Sequence, residues 1–463
     1  MSARDAMRTP AMMDLAEAAR AVSGRVDGAN ASFSGVTTDS RSVAAGDLFV
    51  ALAGERFDGH RFVGEAARRG AAAALTAQRV DTDLPLAQVV VADTRLALGQ
   101  LAAAWRARFA IPVVALTGSN GKTTVKEMLA AILAAHLAAE EDAVLATTGN
   151  LNNDIGMPLT LLRLRERHRY AVIEMGMNHA GEIAYLTRLA RPGVALVNNA
   201  QRAHVGILGS VEAIAHAKGE IYAGLAPDGI AVVNADDAYA GYWKGLNTGR
   251  RIVTFGFADA ADVRAVRSGE SWRFATPEGS FDVRLRVAGE HNARNALAAC
   301  AAACALGVPA EAMERALAAF AGVPGRLQRR RAPGGAVVID DTYNANPESM
   351  KAALAVLAAE PGRRVFVMGD MGELGAQSAA MHAEVGEFAR RAGVDALFAL
   401  GAASRHAAEA FGAGARHFAD AKELAAAAAA EAGKGTTLLV KGSRFMQMER
   451  VADALVRGDR DAV

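Results

Sequence analysis

The chain has 463 residues, 52% hydrophobic and 22% charged, with a net charge of +1 at pH 7. It is too long for one ordinary core, so about three domains are expected, and too apolar to be a disordered chain. Acids and bases are mixed along the sequence, which gives no argument for nucleic acid or an anionic membrane as partner.

The N-terminus carries Arg4, Asp5, Arg8 and Pro10 ahead of any apolar run and lacks the uninterrupted apolar segment of a secretory signal. No apolar run has the length of a membrane span. The longest, around 296–310, reads as a helix broken at Gly307 and Pro309. A cytoplasmic protein is therefore expected. Cys300 and Cys304, the only 2 cysteines, stand one helical turn apart in that segment. With no histidine nearby they read as small core residues rather than a zinc site.

A first block, 1–110, contains T-T-D-S-R at 37–41, G-D-L-F-V-A-L at 46–52 and F-D-G-H-R-F at 57–62. Short strands and loops there lead to an alanine-rich helix and a strand at 88–91. A second block, 111–322, repeats strand-then-helix units, with strands expected at 111–116, 143–147, 170–175, 194–198, 230–233 and 252–255. Such alternation predicts a mainly parallel sheet covered on both faces. The third block, 323–463, opens on a linker at V-P-G-R (323–326). Its strands are expected at 336–339, 364–368, 396–399 and 437–440, with helices between, one of them over the alanine tract 425–430.

The second block begins with its most informative stretch. T-G-S-N-G-K-T-T at 117–124 follows an apolar strand and precedes a helical pattern with Val125, Met128, Leu129 and Ile132 on one face. Glycines let backbone N–H groups converge on phosphate oxygens, the helix N-terminus adds partial positive charge, Lys122 adds a full one, and Thr123 offers a hydroxyl to Mg²⁺. The usual G-x-x-x-x-G-K-[ST] spacing needs glycine at 116, where this chain has Leu116, so the loop is a variant. Use of a nucleoside triphosphate is expected.

Ligands of open α/β sheets bind beyond the carboxyl ends of the strands. One strand ends at Glu174, and another at Asn198 and Asn199 with His204 a few residues on. In the third block strand ends deliver Asp340, Asp341, Asp370 and Lys441. This pattern suggests two sites facing a shared cleft. Glu174 and His204 are the best metal candidates, because Mg²⁺ needs only one or two carboxylates beside substrate phosphates. Singly, these residues leave other readings open. His204 also reads as a hydrogen-bonding loop residue, Lys218 as a solvated surface lysine, and Asp340-Asp341 as a solvated strand end. Asn344 and Asn346 also read as turn formers, and 291–295 as a helix cap.

Together they are specific. T-G-S-N-G-K-T-T, Glu174 in I-E-M-G-M-N, His204, Lys218 in A-K-G-E-I, H-N-A-R-N at 291–295, P-G-R at 324–326 and D-D-T-Y-N-A-N-P at 340–347 follow in order through nearly the whole chain. In this the chain resembles the Mur ligases, the ATP-dependent amide-forming enzymes that build the peptidoglycan stem peptide. G-N-L-N-N-D-I-G-M-P at 149–158, G-D-M-G-E-L-G at 369–375 and K-G-S-R at 441–444 resemble the branch that adds D-alanyl-D-alanine to UDP-N-acetylmuramoyl-tripeptide. The D-N-P-R signature of relatives that add a diamino acid is absent, and Thr342 stands where the family usually has serine. The residues do not distinguish diaminopimelate from lysine in the tripeptide.

The resemblance implies a small α/β N-terminal domain (1–110) for the UDP sugar, a central P-loop ATPase-type domain (111–322) and a C-terminal Rossmann-like domain (323–463) for the amino substrate. It implies ATP and Mg²⁺ as cofactors, and a monomer. Gly118, Ser119, Asn120, Gly121, Lys122, Thr123 and Thr124 would hold the ATP phosphates, with Lys122 on the transferred group and Thr123 on Mg²⁺. Glu174 and His204 would help bind a second Mg²⁺. Lys218 would be carbamylated, CO₂ turning its amine into a carboxylate beside the metal. Asn292 and Asn295 would lie near adenine, Arg326 near the γ-phosphate and Asp341 on the ribose. Ser40 and Arg41 would contact the uridine nucleotide, Asn150, Asn152 and Asn153 the peptide, and Lys441, Ser443 and Arg444 the dipeptide.

Overall fold

Three β-sheets, one from each third of the chain, organise the computed structural model, which describes residues 10–54, 57–138, 140 and 142–458. Arg4, Asp5 and Arg8 lie outside the described residues. The N-terminal sheet has the order Arg25–Asp27, Ala87–Val90, Ala73–Thr76, Asp47–Val50, Gly35–Thr37. Only its first strand is antiparallel to its neighbour.

The central sheet has nine strands, in the order Val144–Ala146, Tyr170–Glu174, Val113–Thr117, Val194–Val197, Ile230–Asn234, Arg251–Gly256, Val263–Ser268, Ser271–Thr276, Gly279–Val283. Neighbours run parallel as far as Val263–Ser268, and the last two strands are antiparallel. All five residues of Val113–Thr117 are buried, as a parallel strand covered on both faces requires. One covering face is made by the helices Lys122–Leu137 and Glu290–Ala305, where Met128, Leu129 and Ile132 share a core with the alanines at 296, 298 and 299. Small side chains allow these two helices to lie close together. Cys300 and Cys304 are free thiols buried in that core, and burial pushes both pKa values up. The helix ends at Ala305 and the next, Ala310–Ala319, starts after Pro309, which is the expected break. Ile183 and Leu186 of the helix Glu182–Ala190 pack in the core on the opposite side.

The C-terminal sheet has the order Gln328–Arg331, Val337–Asp340, Thr436–Lys441, Arg363–Gly369, Ala396–Leu400, Ala415–Phe418, parallel after the first pair. The expected three-domain α/β architecture is the one observed. In the second and third blocks five strands escaped the sequence reading: Val263–Ser268, Ser271–Thr276, Gly279–Val283, Gln328–Arg331 and Ala415–Phe418. All lie towards sheet edges and carry charged residues such as Arg267, Arg273, Asp282 and Arg329, so none is a continuous apolar run. The strand expected at 111–116 begins at Val113, after Pro112, which has no N–H to give a ladder. Among the described residues no helix is long and apolar enough to cross a membrane.

One buried histidine makes stability depend on pH. His168 is 4% exposed, and its Nδ1 accepts a 2.9 Å hydrogen bond from the Arg165 N–H. Burial, reinforced by the Arg167 charge, lowers its pKa from 6.5 to about 4. The unfolded chain therefore binds this proton more readily, and stability falls as pH drops from 6.5 towards about 4. Thermal unfolding across that range should reveal a loss of about 1–3 kcal/mol from this group. His168→Gln should flatten that part of the profile, and an equally steep profile in the variant would contradict the assignment.

Candidate active site

The central strands Val113–Thr117, Tyr170–Glu174 and Val194–Val197 end side by side. Their carboxyl ends face the ends of Val337–Asp340 and Thr436–Lys441 from the C-terminal sheet across a cavity of about 990 Å³. Lys122, Glu174 and His204 line it from one side, and Arg326, Asp341 and Lys441 from the other. The two expected sites are thus one continuous cleft.

After Thr117 the chain turns into the helix Lys122–Leu137 through Gly121, which has φ +81°. A Cβ there would lie 2.2 Å from Asn295 Oδ1 and 2.6 Å from Asn198 Nδ2, so only glycine fits. No side chain caps this helix, which leaves its first N–H groups to an anion. Side chains beyond the strand Val194–Val197 brace the loop. The Asn120 N–H donates to Asn199 Oδ1 at 2.9 Å, and Asn198 Nδ2 donates to Asn120 O at 2.9 Å. Ser119 Oγ accepts from the Gln201 N–H at 2.8 Å and donates to Gln201 O at 3.0 Å. Asn234 supports the brace from the next strand, donating to Asn198 O at 2.8 Å.

A row of charges and hydroxyls runs from this loop to the C-terminal lobe. Thr123 Oγ1 donates to Glu174 Oε2 at 3.0 Å and accepts from Arg326 Nη2 at 2.8 Å. Glu174 is 2% exposed, and its Oε1 accepts from Asn152 Nδ2 at 2.8 Å. Arg326 stacks over the Tyr343 ring at 4.1 Å, while its buried Nε has no hydrogen-bond partner among the described residues. Lys122 Nζ donates to Gly118 O at 2.7 Å. Burial lowers the Lys122 pKa, opposed by the negative charges of Glu174 and Glu373. A hydroxyl and a carboxylate oxygen side by side, with orphaned polar atoms at Thr117 Oγ1 and Asn198 Oδ1 nearby in the chain, suit a hard cation and phosphate oxygens.

Several residue-level readings change. Lys218 is not a surface lysine. It is 1% exposed on the helix Val211–Gly219, and burial, together with the Lys122 charge, pushes its pKa well below the usual range. His204, at φ +65°, has Nδ1 2.6 Å from Glu373 Oε2 of the C-terminal lobe. Among the described residues no group of three His, Cys, Asp or Glu side chains is arranged to hold a metal.

Asp340 and Asp341 are buried rather than solvated. Asp340 Oδ1 accepts from Thr342 Oγ1 at 2.7 Å, a bond that needs only the hydroxyl serine would share, and Asp341 Oδ2 lies 2.6 Å from Lys441 Nζ. Residues 291–295 are not a cap but the first turns of Glu290–Ala305, whose N-cap is Gly289. Asn292 Nδ2 donates to Ala288 O at 2.7 Å, and Asn295 Oδ1 accepts from Asn198 Nδ2 at 3.1 Å. Asn346 caps Pro347–Ala358 in a capping box with Ser349, and its Nδ2 donates to Asn120 Oδ1 at 2.7 Å, joining the lobes.

Asn150, Asn152 and Asn153 line the cleft, although Asn153 Oδ1 is engaged by the Gly156 N–H at 2.8 Å. Arg444 also lines it and pairs with Glu449 at 2.8 Å. Ser443 is buried, accepting from the Gly372 N–H at 2.8 Å and donating to Ala345 O at 3.2 Å, and does not line the cleft. Nor do Ser40, bonded to Glu65 at 3.2 Å, and Arg41, paired with Asp39 at 2.7 Å. Asp370 accepts from the Ala403 and Ser404 N–H groups, so this strand-end charge anchors a turn instead of facing the cleft. Gln201, Arg202, Asn234 and Glu373 were missed. Only their position just past strand ends, or inside G-D-M-G-E-L-G, hinted at a role.

A phosphate loop in a parallel sheet, facing a Rossmann-like lobe, defines a multidomain enzyme that uses a nucleoside triphosphate. Residues 32–106 match the Mur ligase family, catalytic domain; 116–303 match the Mur ligase middle domain; and 325–444 match the Mur ligase, glutamate ligase domain. The chain belongs to the Mur ligase family. It is 45% identical to the UDP-N-acetylmuramoyl-tripeptide--D-alanyl-D-alanine ligase of Escherichia coli K12, over 94% of this chain and 96% of that protein. Identity to the enzyme of the same name from Haemophilus influenzae is 42%, over 81% and 82%. Among solved structures, MurF from Acinetobacter baumannii superposes with a TM-score of 0.87 at 40% identity, covering 96% of this chain and 98% of that one. MurF ligase from Thermotoga maritima in complex with ADP superposes with a TM-score of 0.80 at 29% identity, covering 91% and 97%.

Gly121→Ala should weaken ADP binding at least about tenfold, because a non-glycine residue at positive φ costs about 1–2 kcal/mol before the Asn295 clash is added. Titration calorimetry with ADP checks this, and an unchanged dissociation constant would contradict the loop's role.

Proposed function

We propose that this chain is an ATP-dependent ligase that joins D-alanyl-D-alanine to UDP-N-acetylmuramoyl-tripeptide through an acyl phosphate, releasing ADP and phosphate. The observation that carries the reading is the Arg326–Thr123–Glu174 row, which ties the phosphate loop to the opposite lobe within one cleft. The near full-length similarity to ligases bearing that name supports the substrate choice.

A free carboxylate does not form an amide in water, because oxide is a poor leaving group. In the first step a terminal carboxylate oxygen of the tripeptide attacks the γ-phosphorus, and the P–O bond to ADP breaks. In the second the dipeptide amine attacks the acyl carbon, the C–O bond to phosphate breaks, and the nitrogen loses a proton. Both partners of the first step are anions. Lys122, on the transferred phosphoryl group, and Arg326, on the γ-phosphate, offset their repulsion and stabilise the spreading charge. The uncapped helix and loop residues Gly118 to Thr124 hold the remaining phosphates. Thr123, Glu174, His204 and carbamylated Lys218 would hold Mg²⁺, whose bound charge neutralises phosphate oxygens.

Carbamylation needs a neutral amine, which adds to CO₂ and gives up a proton. The buried, low-pKa Lys218 supports it, since an ordinary lysine is protonated at neutral pH. Asn292 and Asn295 are assigned to adenine and Asp341 to the ribose. Asn150, Asn152 and Asn153 are assigned to the peptide, and Lys441 and Arg444 to the dipeptide, with Ser443 shaping that wall from behind. Ser40 and Arg41 are assigned to the uridine nucleotide. On this reading the domains are 1–110 for the UDP sugar, 111–322 for ATP and 323–463 for the dipeptide. The enzyme acts as a cytoplasmic monomer, where ATP and UDP-linked precursors are made.

Mass spectrometry of a reaction with ATP, UDP-tripeptide and dipeptide should show the UDP-linked pentapeptide. ATP turnover without either acceptor, and no condensed product, would refute the proposal. Lys218→Ala should cut turnover by about 100-fold or more, the scale of losing a charge-stabilising group. Short carboxylic acids should restore part of it. Full activity in that variant would exclude the carbamate.

A further inference from the structure

The segment that braces the phosphate loop also fastens the C-terminal lobe. Gln201 holds Ser119 through both its backbone groups, and its side chain accepts from Asn120 Nδ2 at 2.6 Å. The next residue, Arg202, reaches out of the central unit. Its Nε lies 2.5 Å from Glu348 Oε1, while Nη1 and Nη2 lie 2.8 and 3.0 Å from the two oxygens of Glu384. Lys351 also donates to Glu384. The two carboxylates stand on Pro347–Ala358 and Ser378–Arg391 of the C-terminal unit. The Arg202 side chain is 25% exposed, so this bidentate fork is partly shielded from solvent screening.

The backbones meet a few residues further on. The Gly206 N–H donates to Glu373 O at 2.9 Å, and a Cβ on Gly206 would lie 2.4 Å from Gly375 N. His204 at φ +65° and Glu373 at φ +62° face each other across this contact, both non-glycine residues in the left-handed region. Such strain persists only where the surroundings over-determine it, and it clusters where a site must be held in one arrangement.

We propose that Arg202 is a positioning residue. Seated between Glu348 and Glu384, its guanidinium fixes the 199–204 segment, and so the phosphate loop, only when the C-terminal lobe has docked. Docking of the dipeptide lobe and setting of the loop are then one event. The inference rests on the ligase reading above. Its chemical consequence concerns water. An acyl phosphate attacked by water, at carbon or at phosphorus, returns carboxylate and phosphate with no amide, so ATP is consumed without product. A seated Arg202 keeps the cleft shut while the amine attacks.

The test uses the full chain with ATP, UDP-tripeptide and D-alanyl-D-alanine, comparing phosphate released with amide formed. The unaltered protein should release one phosphate per amide. Arg202→Ala should raise that ratio and raise the dipeptide KM about tenfold, the scale of losing one partner of a partly buried charge pair. Arg202→Lys should recover part of both. Glu384→Gln, which leaves the phosphate loop itself untouched, should move both in the same direction. Circular dichroism and thermal melting verify folding, and Glu384→Gln carries the test if Arg202→Ala fails to fold. Folded variants with an unchanged ratio and KM would overturn the proposal. Absence of amide from the unaltered chain would instead overturn the ligase reading.

Discussion

Buried positive charge at the mouth of the central sheet is the constraint on which the rest of the site depends. Lys122 and Arg326 gather near the buried carboxylate Glu174, and burial, with the Arg326 charge, lowers the Lys122 pKa, while burial and the Lys122 charge hold the Lys218 amine well below its usual range. In a low-dielectric setting such an arrangement is costly unless anions complete it. The uncapped helix N-terminus and the orphaned Nε of Arg326 point the same way. A fold optimised for stability alone would have capped the helix and paired the lysine. This one leaves the helix N-terminus uncapped and Lys218 buried, a departure from local consistency of the kind expected at functional sites.

The surrounding scaffold makes that charge usable. Carboxamides rather than charges hold the loop: Asn120, Asn198, Asn199, Gln201, Asn295 and Asn346 form a network that fixes its shape without neutralising it. Amides suit this role because each both donates and accepts, so a chain of them closes without leaving net charge. Asn346 belongs to the C-terminal lobe and caps a helix there, so the same side chain serves local helix stability and contact between lobes.

Much of this was legible in the sequence. The buried parallel strands are apolar runs, and the phosphate loop sits between a strand and a helix, so both declare themselves by pattern. The order of motifs through the chain pointed to the family before any geometry. Strands towards a sheet edge, such as Ser271–Thr276, were not legible, because their exposed faces carry charge and break the apolar run. Lys218 reads as a surface residue since nothing in its own helix announces burial, which comes from packing against distant segments. Likewise Arg202 meets Glu348 and Glu384, 146 and 182 residues further along the chain, and His204 meets Glu373, only where the two lobes come together, which no local pattern encodes.

The central claim is that the tripeptide's own acid oxygen leaves with the phosphoryl group. It is tested most directly by labelling that terminal carboxylate with oxygen-18 and analysing the inorganic phosphate released with the amide. An acyl phosphate transfers one labelled oxygen to each phosphate. Phosphate free of label, formed alongside full amide product, would contradict it.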